Sequence, residues 1–249
     1  MITIKSLEEI EVMEEGGKIL AMIMKKLLEE VKPNVKGDYL NDLAKKLILE
    51  NNALPSFENY DGFPATLCLS INEVIVHGIP FNVILNEGDI VSLDLGLIYK
   101  GFHSDMAVTC SVGKISLEKQ KLIEATKNTL NKTIEKIKPG IKFYEIGRFI
   151  EKYAKEQGFN VIKELCGHGI GRKLHEDPLI LNFFNKDDGN ETIKNGMTFC
   201  IEPMLTKGDW RIKRAKDGYG FRTRDNSLSA HFEHTIAIKN NRVKILTVL

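Results

Sequence analysis

Four carboxylates and a histidine pair are the residues best placed to do chemistry. Asp94 stands in IVSLDLG, Asp105 in HSDMA, Glu202 in FCIEPM and Glu233 in HFEHT. His168 and His175 stand in GHGIGRKLHE, among Gly167, Gly169 and Gly171. Val91, Leu93 and Leu95 alternate with Ser92 and Asp94, so a strand here points Asp94 away from the leucines. A turn near Tyr99 to Gly101 would return Asp105 beside Asp94, and cross-strand neighbours have Cβ atoms about 4.5–5.5 Å apart. Two carboxylates that close repel unless one is protonated or a cation intervenes. Glu202 and Glu233 look like a second copy of the same pair. Four acids would then converge, and two divalent ions would balance them. With His168 as the single imidazole, the donor set suits Mn, Fe, Co or Zn better than Mg or Ca. Two ions bridged by carboxylates sit about 3.5–4 Å apart and acidify a water enough to attack an amide near neutral pH.

Taken singly, each of these residues has a blander reading. A lone strand Asp is as often an edge or turn residue, and a lone His is more often a satisfied core residue. The joint pattern decides for a metal site. His103 and His231 face the same way as Asp105 and Glu233, which makes them candidates to support the ligands. Strand alternation turns His234 to the opposite face.

The elements that must position these residues come in two copies. Ser6 to Glu9 reads as an S-x-x-E capping box. Helical periodicity follows at Ile10, Met13, Leu20, Ile23, Leu27 and Val31, until VKPNVKG breaks it. A second helix is expected over 39–50, and a β-rich stretch over 66–112. Another helix is expected over 117–137, then a KPG break at 138–140, then a helix over 144–157, and β structure from Ile193 onward. Leu40, Leu43, Ala44 and Leu47 match Ile146, Phe149, Ile150 and Tyr153 at an offset of 106 residues. LNEGDIVSLDLG lies over IKNGMTFCIEPM, with Gly88 on Gly196 and Asp94 on Glu202; Asp105 falls on Glu233. The residue matching His168 is Gly62, so only the second half supplies a ligand imidazole. A duplication of half-domain length implies two α+β halves about a pseudo-twofold axis, sharing one sheet. The halves run from about 1 to 113 and 114 to 249. No linker separates them, so one domain, 1–249, is expected.

The 249 residues are 43% hydrophobic and 28% charged, with a net charge of +1. Such a chain has no bulk electrostatic reason to bind nucleic acid or a membrane. Four of the six residues from Arg211 to Lys216 are basic, which reads as a solvated loop. Cys68, Cys110, Cys166 and Cys200 form no C-x-x-C pair and read as reduced, mostly buried thiols. No apolar run is long enough to span a bilayer, and the charged start excludes a signal peptide. A cytoplasmic protein is expected.

With these motifs in hand, the chain resembles the type I methionine aminopeptidases of the pita-bread metallopeptidase fold. The resemblance covers essentially the whole chain, through NYDGFPATLCLSINEVIVHGIP, SLDLG with GFHSD, GHGIGRKLHEDP, FCIEPML and SLSAHFEHT. It implies an α+β fold of two pseudo-symmetric halves sharing a curved antiparallel sheet, with helices outside. It implies that Asp94 holds one metal, His168 and Glu202 the other, and that Asp105 and Glu233 bridge. Glu202 would also be the proton shuttle. His175 would stabilise the oxyanion, and His77 would bind near the scissile nitrogen. Tyr60, Phe63, Cys68 and Tyr219 would wall a methionine pocket. Leu174 stands where many members carry Phe, and Tyr219 where many carry Trp, so the pocket's shape departs from the family's. Asn72, Val74 and Ser229 would border a monovalent cation.

The implied activity is removal of N-terminal methionine from nascent proteins whose second residue is small, with the ribosome as the place of encounter. Because Ile2 follows Met1, the protein is expected to keep its own Met1. The rivals are a proline-specific dipeptidase or aminopeptidase of the same fold, and a binding module without catalysis. The first usually carries a further N-terminal domain, and type II methionine aminopeptidases carry a helical insertion for which 166–202 has no room. The second rival would have lost ligands that are all present here. A monomer is expected.

Overall fold

Ser6 starts the first helix as its capping box requires. Its hydroxyl accepts from the Glu9 amide at 3.2 Å, and the Glu9 carboxylate accepts from the Ser6 amide at 3.0 Å. Two amides that the helix itself leaves unpaired are thereby satisfied. A computed structural model describes residues 1–249. In it α1 (Leu7–Glu30) buries Ile10, Met13, Leu20, Ile23 and Leu27 as the periodicity predicts, and Met24 besides, while Val31 of the expected stripe is its C-cap. α2 (Gly37–Glu50), α3 (Leu117–Ile134) and α4 (Phe143–Glu156) fall within three residues of the expected spans. Leu40 and Ala44 of α2 are buried, as are Ile146 and Ile150 of α4. No helix is long and apolar enough to cross a membrane.

The first half continues with β1 (Leu54–Pro55), β2 (Leu67–Ile71), β3 (Val74–Val76), β4 (Ile90–Tyr99) and β5 (Phe102–Ser111). After α4 come β6 (Asn160–Val161), β7 (Cys166–Gly169), β8 (Glu176–Leu181), β9 (Thr198–Ile201) and β10 (Met204–Thr206). β11 (Ile212–Arg214), β12 (Phe221–Thr223), β13 (Ser229–His231), β14 (Glu233–Lys239) and β15 (Arg242–Ile245) complete the chain. Nine strands form one curled antiparallel sheet in the order β1-β4-β5-β14-β9-β7-β8, with β2 also on β4 and β15 on β14. Two three-stranded sheets, β13-β10-β6 and β11-β12-β3, border it.

This order makes the duplication visible. β4–β5 from the first half meets β14–β9 from the second, and the halves join where β5 pairs β14, at Glu233↔Ala107 and His234↔Met106. β4 and β9 each start two residues after a glycine with positive φ, Gly88 at 92° and Gly196 at 85°. Only glycine adopts that backbone without strain, so the match between the two glycines is conformational. The isolated bridges Lys36↔Ile84 and Lys142↔Thr192 are a further matched pair.

Leu93 and Leu95 of β4 enter a core of 43 residues that draws on all four helices and on strands of both halves. Asp94 therefore faces away from the helices, because adjacent strand residues point to opposite faces. The β4–β5 connection has two residues, Lys100 at φ 48° and Gly101 at φ 80°. Two positive φ values mark the tight hairpin whose twist suits its strands. That turn fixes the register at Tyr99↔Phe102, which puts Gly96 opposite Asp105 and Ala107 opposite Asp94. Asp94 and Asp105 are thus diagonal neighbours on one face, not directly opposed as the sequence suggested.

The second departure is β7–β8. Sequence periodicity placed β structure in this half only from Ile193, yet three strands precede it. Cys166–Gly169 carries two glycines and no apolar alternation. It forms a strand because those glycines allow close approach: a Cβ on Gly167 would collide with the Cys200 carbonyl, and one on Gly169 with the Asp177 carbonyl.

Candidate active site

Each acid reaches the centre from a strand at or near the seam between halves. Asp94 comes from β4, Asp105 from β5 and Glu233 from the first position of β14, while Glu202 follows β9 directly. Relative exposure is 7% for Asp94, 4% for Asp105, 9% for Glu202 and 3% for Glu233. The donor atoms of Asp94, Asp105 and Glu233 all lie within 4.8 Å of one another, as do those of Glu202, His231 and Glu233. Asp94 Oδ1, Asp105 Oδ1 and Glu233 Oε1 are buried without a hydrogen-bond partner. Orphaned carboxylate oxygens are costly, and their convergence fits a site built for cations.

Burial pushes the Asp94 carboxyl up to about 6. It lifts Asp105 well above the usual carboxylate range, with the charges of Glu233, Asp94 and Glu202 adding to the effect. Glu202 and Glu233 are raised in the same way, first by burial and then by neighbouring acids. Such a cluster holds protons until cations replace them.

His168 meets the cluster from β7. Its Nδ1 faces the Gly169 carbonyl at 2.9 Å. A carbonyl only accepts, so Nδ1 carries the proton and Nε2 offers its lone pair, 3.6 Å from Glu202 Oε1. Burial, helped by His175, holds the imidazole down at about 3, so it stays neutral and fit to ligate. The other Glu202 oxygen lies 3.6 Å from Nε2 of His231. His231 is 1% exposed, neither ring nitrogen has a hydrogen-bond partner, and Nε2 is 3.9 Å from Glu233. The two histidines that the sequence treated alike therefore separate: His231 belongs to the acid cluster, whereas His103 turns to Ser56 at 2.9 Å. His234 bonds Thr247 at 3.0 Å, away from the acids as alternation required.

Above the acids opens a cleft of about 510 Å³. Asp94, Asp105, His168, Glu202 and Glu233 form its floor, and His77, His175, Tyr60, Phe63, Cys68 and Tyr219 are among its walls. Every residue singled out from the sequence for catalysis, divalent metal or substrate is thus brought to one cavity. Sequence reasoning missed Phe57, Val76, Leu165, Leu179, Met204 and Phe221, apolar wall residues from six separate segments. No local pattern marks them, because they are assembled by the fold. It also missed Cys200, whose donor atom lies within 4.8 Å of those of His168 and Glu233.

Wall residues are held individually. His77 has φ 57°, a left-handed backbone that costs a non-glycine residue energy and is found where geometry matters. The next residue fixes it, Gly78 donating to Ser70 Oγ at 3.1 Å and accepting from the Leu69 amide at 2.9 Å. Burial keeps the His77 imidazole down at about 4, and burial lowers His175 as well. His175 packs edge-on to His168 with ring centroids 4.4 Å apart, and its Nδ1 meets the Tyr60 hydroxyl at 2.9 Å. Its loop is anchored through the buried Lys5–Glu176 pair at 2.6 Å. Tyr219 donates to the Gly62 carbonyl at 3.0 Å and meets Phe63 edge to face. Ser229, Asn72 and Val74 also meet: the Ser229 amide donates to the Asn72 carbonyl at 2.9 Å, and its hydroxyl to the Val74 carbonyl at 3.1 Å.

The arrangement can bind divalent cations in an acidic floor, present neutral imidazoles beside them, and take an apolar side chain against the walls. Comparison with known proteins gives the same picture. Residues 11–240 match the model of metallopeptidase family M24. A methionine aminopeptidase of Clostridium perfringens is 42% identical over 249 residues, which is 100% of both chains. The crystal structure of methionine aminopeptidase from Rickettsia prowazekii superposes with a TM-score of 0.96 at 39% identity, again covering 100% of both chains. A prolidase of Pyrococcus horikoshii shares the fold at a TM-score of 0.76 and 24% identity, covering 98% of this chain and 63% of its own.

Proposed function

The chain belongs to metallopeptidase family M24, and from that membership we infer that it is a methionine aminopeptidase of pita-bread fold. It removes methionine from the N-terminus of proteins whose second residue is small. One observation carries the reading: five side chains able to ligate a metal, drawn from both halves, meet under a cleft walled by aromatic and sulfur-bearing residues. A thioether gains from such walls. The prolidase reading has only the fold in its favour.

The donor set fits two divalent ions. Asp94 would hold one, His168 and Glu202 the other, and Asp105 and Glu233 would bridge. Four carboxylates with one imidazole suit Mn, Fe, Co or Zn. When bound, such ions supply a nucleophilic water at neutral pH and polarise the carbonyl under attack. The chain's own residues do the rest. Glu202 takes the proton from the attacking water and returns it to the leaving amine. His175, with its ring set by Tyr60, faces the developing oxyanion. His77 sits on the leaving-group side and binds near the scissile nitrogen. Tyr60, Phe63, Cys68 and Tyr219 hold the methionine side chain and keep water from it. A monovalent cation beside Asn72, Val74 and Ser229 is supported by the meeting of those three residues.

The sheet and main core run through both halves, which supports one catalytic domain over 1–249. The setting that fits this activity is the cytoplasm, with a monomer acting on nascent chains at the ribosome. The test is release of methionine from Met-Gly-Met by metal-free protein after addition of Mn, Co, Fe or Zn singly. Turnover with at least one metal is expected; none with any of them would remove the reading.

A further inference from the structure

The cleft is electrically lopsided above its acidic floor. Arg214, at the end of β11, is the only lysine or arginine among its lining residues. Its guanidinium lies 4.7 Å over the Phe221 ring, and that ring meets the His77 ring edge-on at 5.8 Å. Arg214 also helps to hold the His77 imidazole neutral, so the two groups sense each other. Asp61 acts on His175 instead, at the other wall. Glu164, the remaining acid of the upper lining, is occupied by the Ile212 amide at 3.0 Å.

Arg214 is also unspent. Its neighbours Arg211 and Arg222 pair with Asp209 and Glu73. Arg214 is exposed, has no acidic partner, and donates to the Gly218 carbonyl at 2.8 Å. That bond and the Phe221 stack fix the guanidinium and leave other N–H donors free, since it carries five.

We propose that Arg214 is a specificity-determining residue that favours substrates with an acidic side chain a few residues after the scissile bond. The proposal rests on the aminopeptidase reading. With methionine in the pocket and His77 at the scissile nitrogen, the rest of the substrate leaves the cleft past His77. The two ring spacings put Arg214 within about three residues of extended chain from His77. A carboxylate on the third, fourth or fifth residue of the substrate falls in that range. The match is a charge pair at a solvated rim, so it discriminates modestly and is weakened by salt.

The experiment uses metal-loaded full-length protein and C-terminally amidated pentapeptides Met-Ala-Ser-Ser-Ser, with Glu or Lys replacing each serine in turn. Amidation removes the terminal carboxylate that would otherwise reach Arg214. At one or more positions the kcat/KM for Glu is expected to exceed that for Lys by about two- to fivefold, the scale of an exposed ion pair. Molar salt should shrink the ratio. Arg214→Lys should keep its direction, and Arg214→Glu should invert it, whatever happens to the absolute rates. Equal values for Glu and Lys at all three positions would overturn the proposal, as would a preference that persists in Arg214→Glu. Failure to release methionine from any of these peptides would instead remove the aminopeptidase reading, and the proposal with it.

Discussion

Thr235 clasps the backbone of Asp105 with one hydroxyl, accepting from its amide at 2.9 Å and donating to its carbonyl at 2.7 Å. Thr109 does the same to His231, at 2.8 Å in both directions. One threonine from each half thus stitches the seam, where β5 and β14 share only two paired positions. Both stitches end on residues of the acid cluster. Thr235→Val keeps the shape and removes the hydroxyl, leaving a buried amide and carbonyl unpaired. A stability loss of about 1–3 kcal/mol is expected, together with metal affinity weaker by about tenfold or more. Denaturant melts and metal titration calorimetry check this; unchanged metal affinity would mean that the clasp does not position Asp105.

Glu202 offers one oxygen to His168 and the other to His231. In the proposed mechanism, ligation and proton transfer meet in that residue. Glu202→Ala should lower kcat by at least about 10²–10⁴-fold, the range of a general acid–base group. Wild-type turnover by this variant on Met-Gly-Met would contradict the mechanism.

Metal should stabilise the fold, and more so at higher pH. The sign follows from the carboxyl groups of Asp94, Asp105, Glu202 and Glu233, all raised by burial. Above the ordinary carboxylate range these four groups bind more protons in the metal-free folded chain than in the unfolded chain. Their contribution to its stability therefore falls as pH rises through about 6, where Asp94 loses its proton, and continues to fall beyond. Cations take the place of those protons. The gain in Tm on adding saturating Mn, Co, Fe or Zn should be larger at about pH 8 than at about pH 5. Thermal scans of metal-free protein at both pH values measure it, and an equal or absent gain would count against the acid cluster as the metal seat.

His77 and His175 are wall residues, outside the groups of donor atoms that can share an ion. His77→Ala and His175→Ala should each lower kcat, His175→Ala by about 10²–10³-fold if it faces the oxyanion. Both should still bind metal, which calorimetry can show. Loss of metal binding in either would reassign it to the floor of the site.

Acid stability should carry a histidine signature. His77 and His234 are held down at about 4 and His168 at about 3, chiefly by burial. Below the unfolded histidine value of 6.5 these side chains take up protons in the unfolded chain that they refuse in the folded one, so their contribution to stability falls as pH drops. The fall should run from about 6.5 to about 4. His234 bonds Thr247 away from the acids, so His234→Gln should flatten that part of the urea-midpoint profile. An unchanged slope would mean that His234 titrates normally.

The sequence made α1 to α4 readable because caps and apolar stripes are local, and the acids readable because duplication repeated them. Gly88 and Gly196 are a case where sequence match and backbone conformation agree. Three features escaped. The diagonal placement of Asp94 and Asp105 depends on one two-residue turn, and a shift of register is invisible to alternation. His231 and His103 have the same strand parity, and what separates them is the company supplied by other strands. The β7–β8 hairpin is written in glycines, whose role is to let other backbones come close, so its partners had to be seen first.

The seam bears on ancestry. Asp94 and Asp105 come from one half, Glu202 and Glu233 from the other, and neither half alone holds more than two of these acids. A single-copy forerunner of this chain could have assembled the four-acid floor only by pairing with its twin. In such a forerunner association and metal capture would be one event, and fusing the genes would turn a concentration-dependent site into a permanent one. Once fused, the copies were free to diverge: the second kept or gained His168, while the first has Gly62 at the matching position.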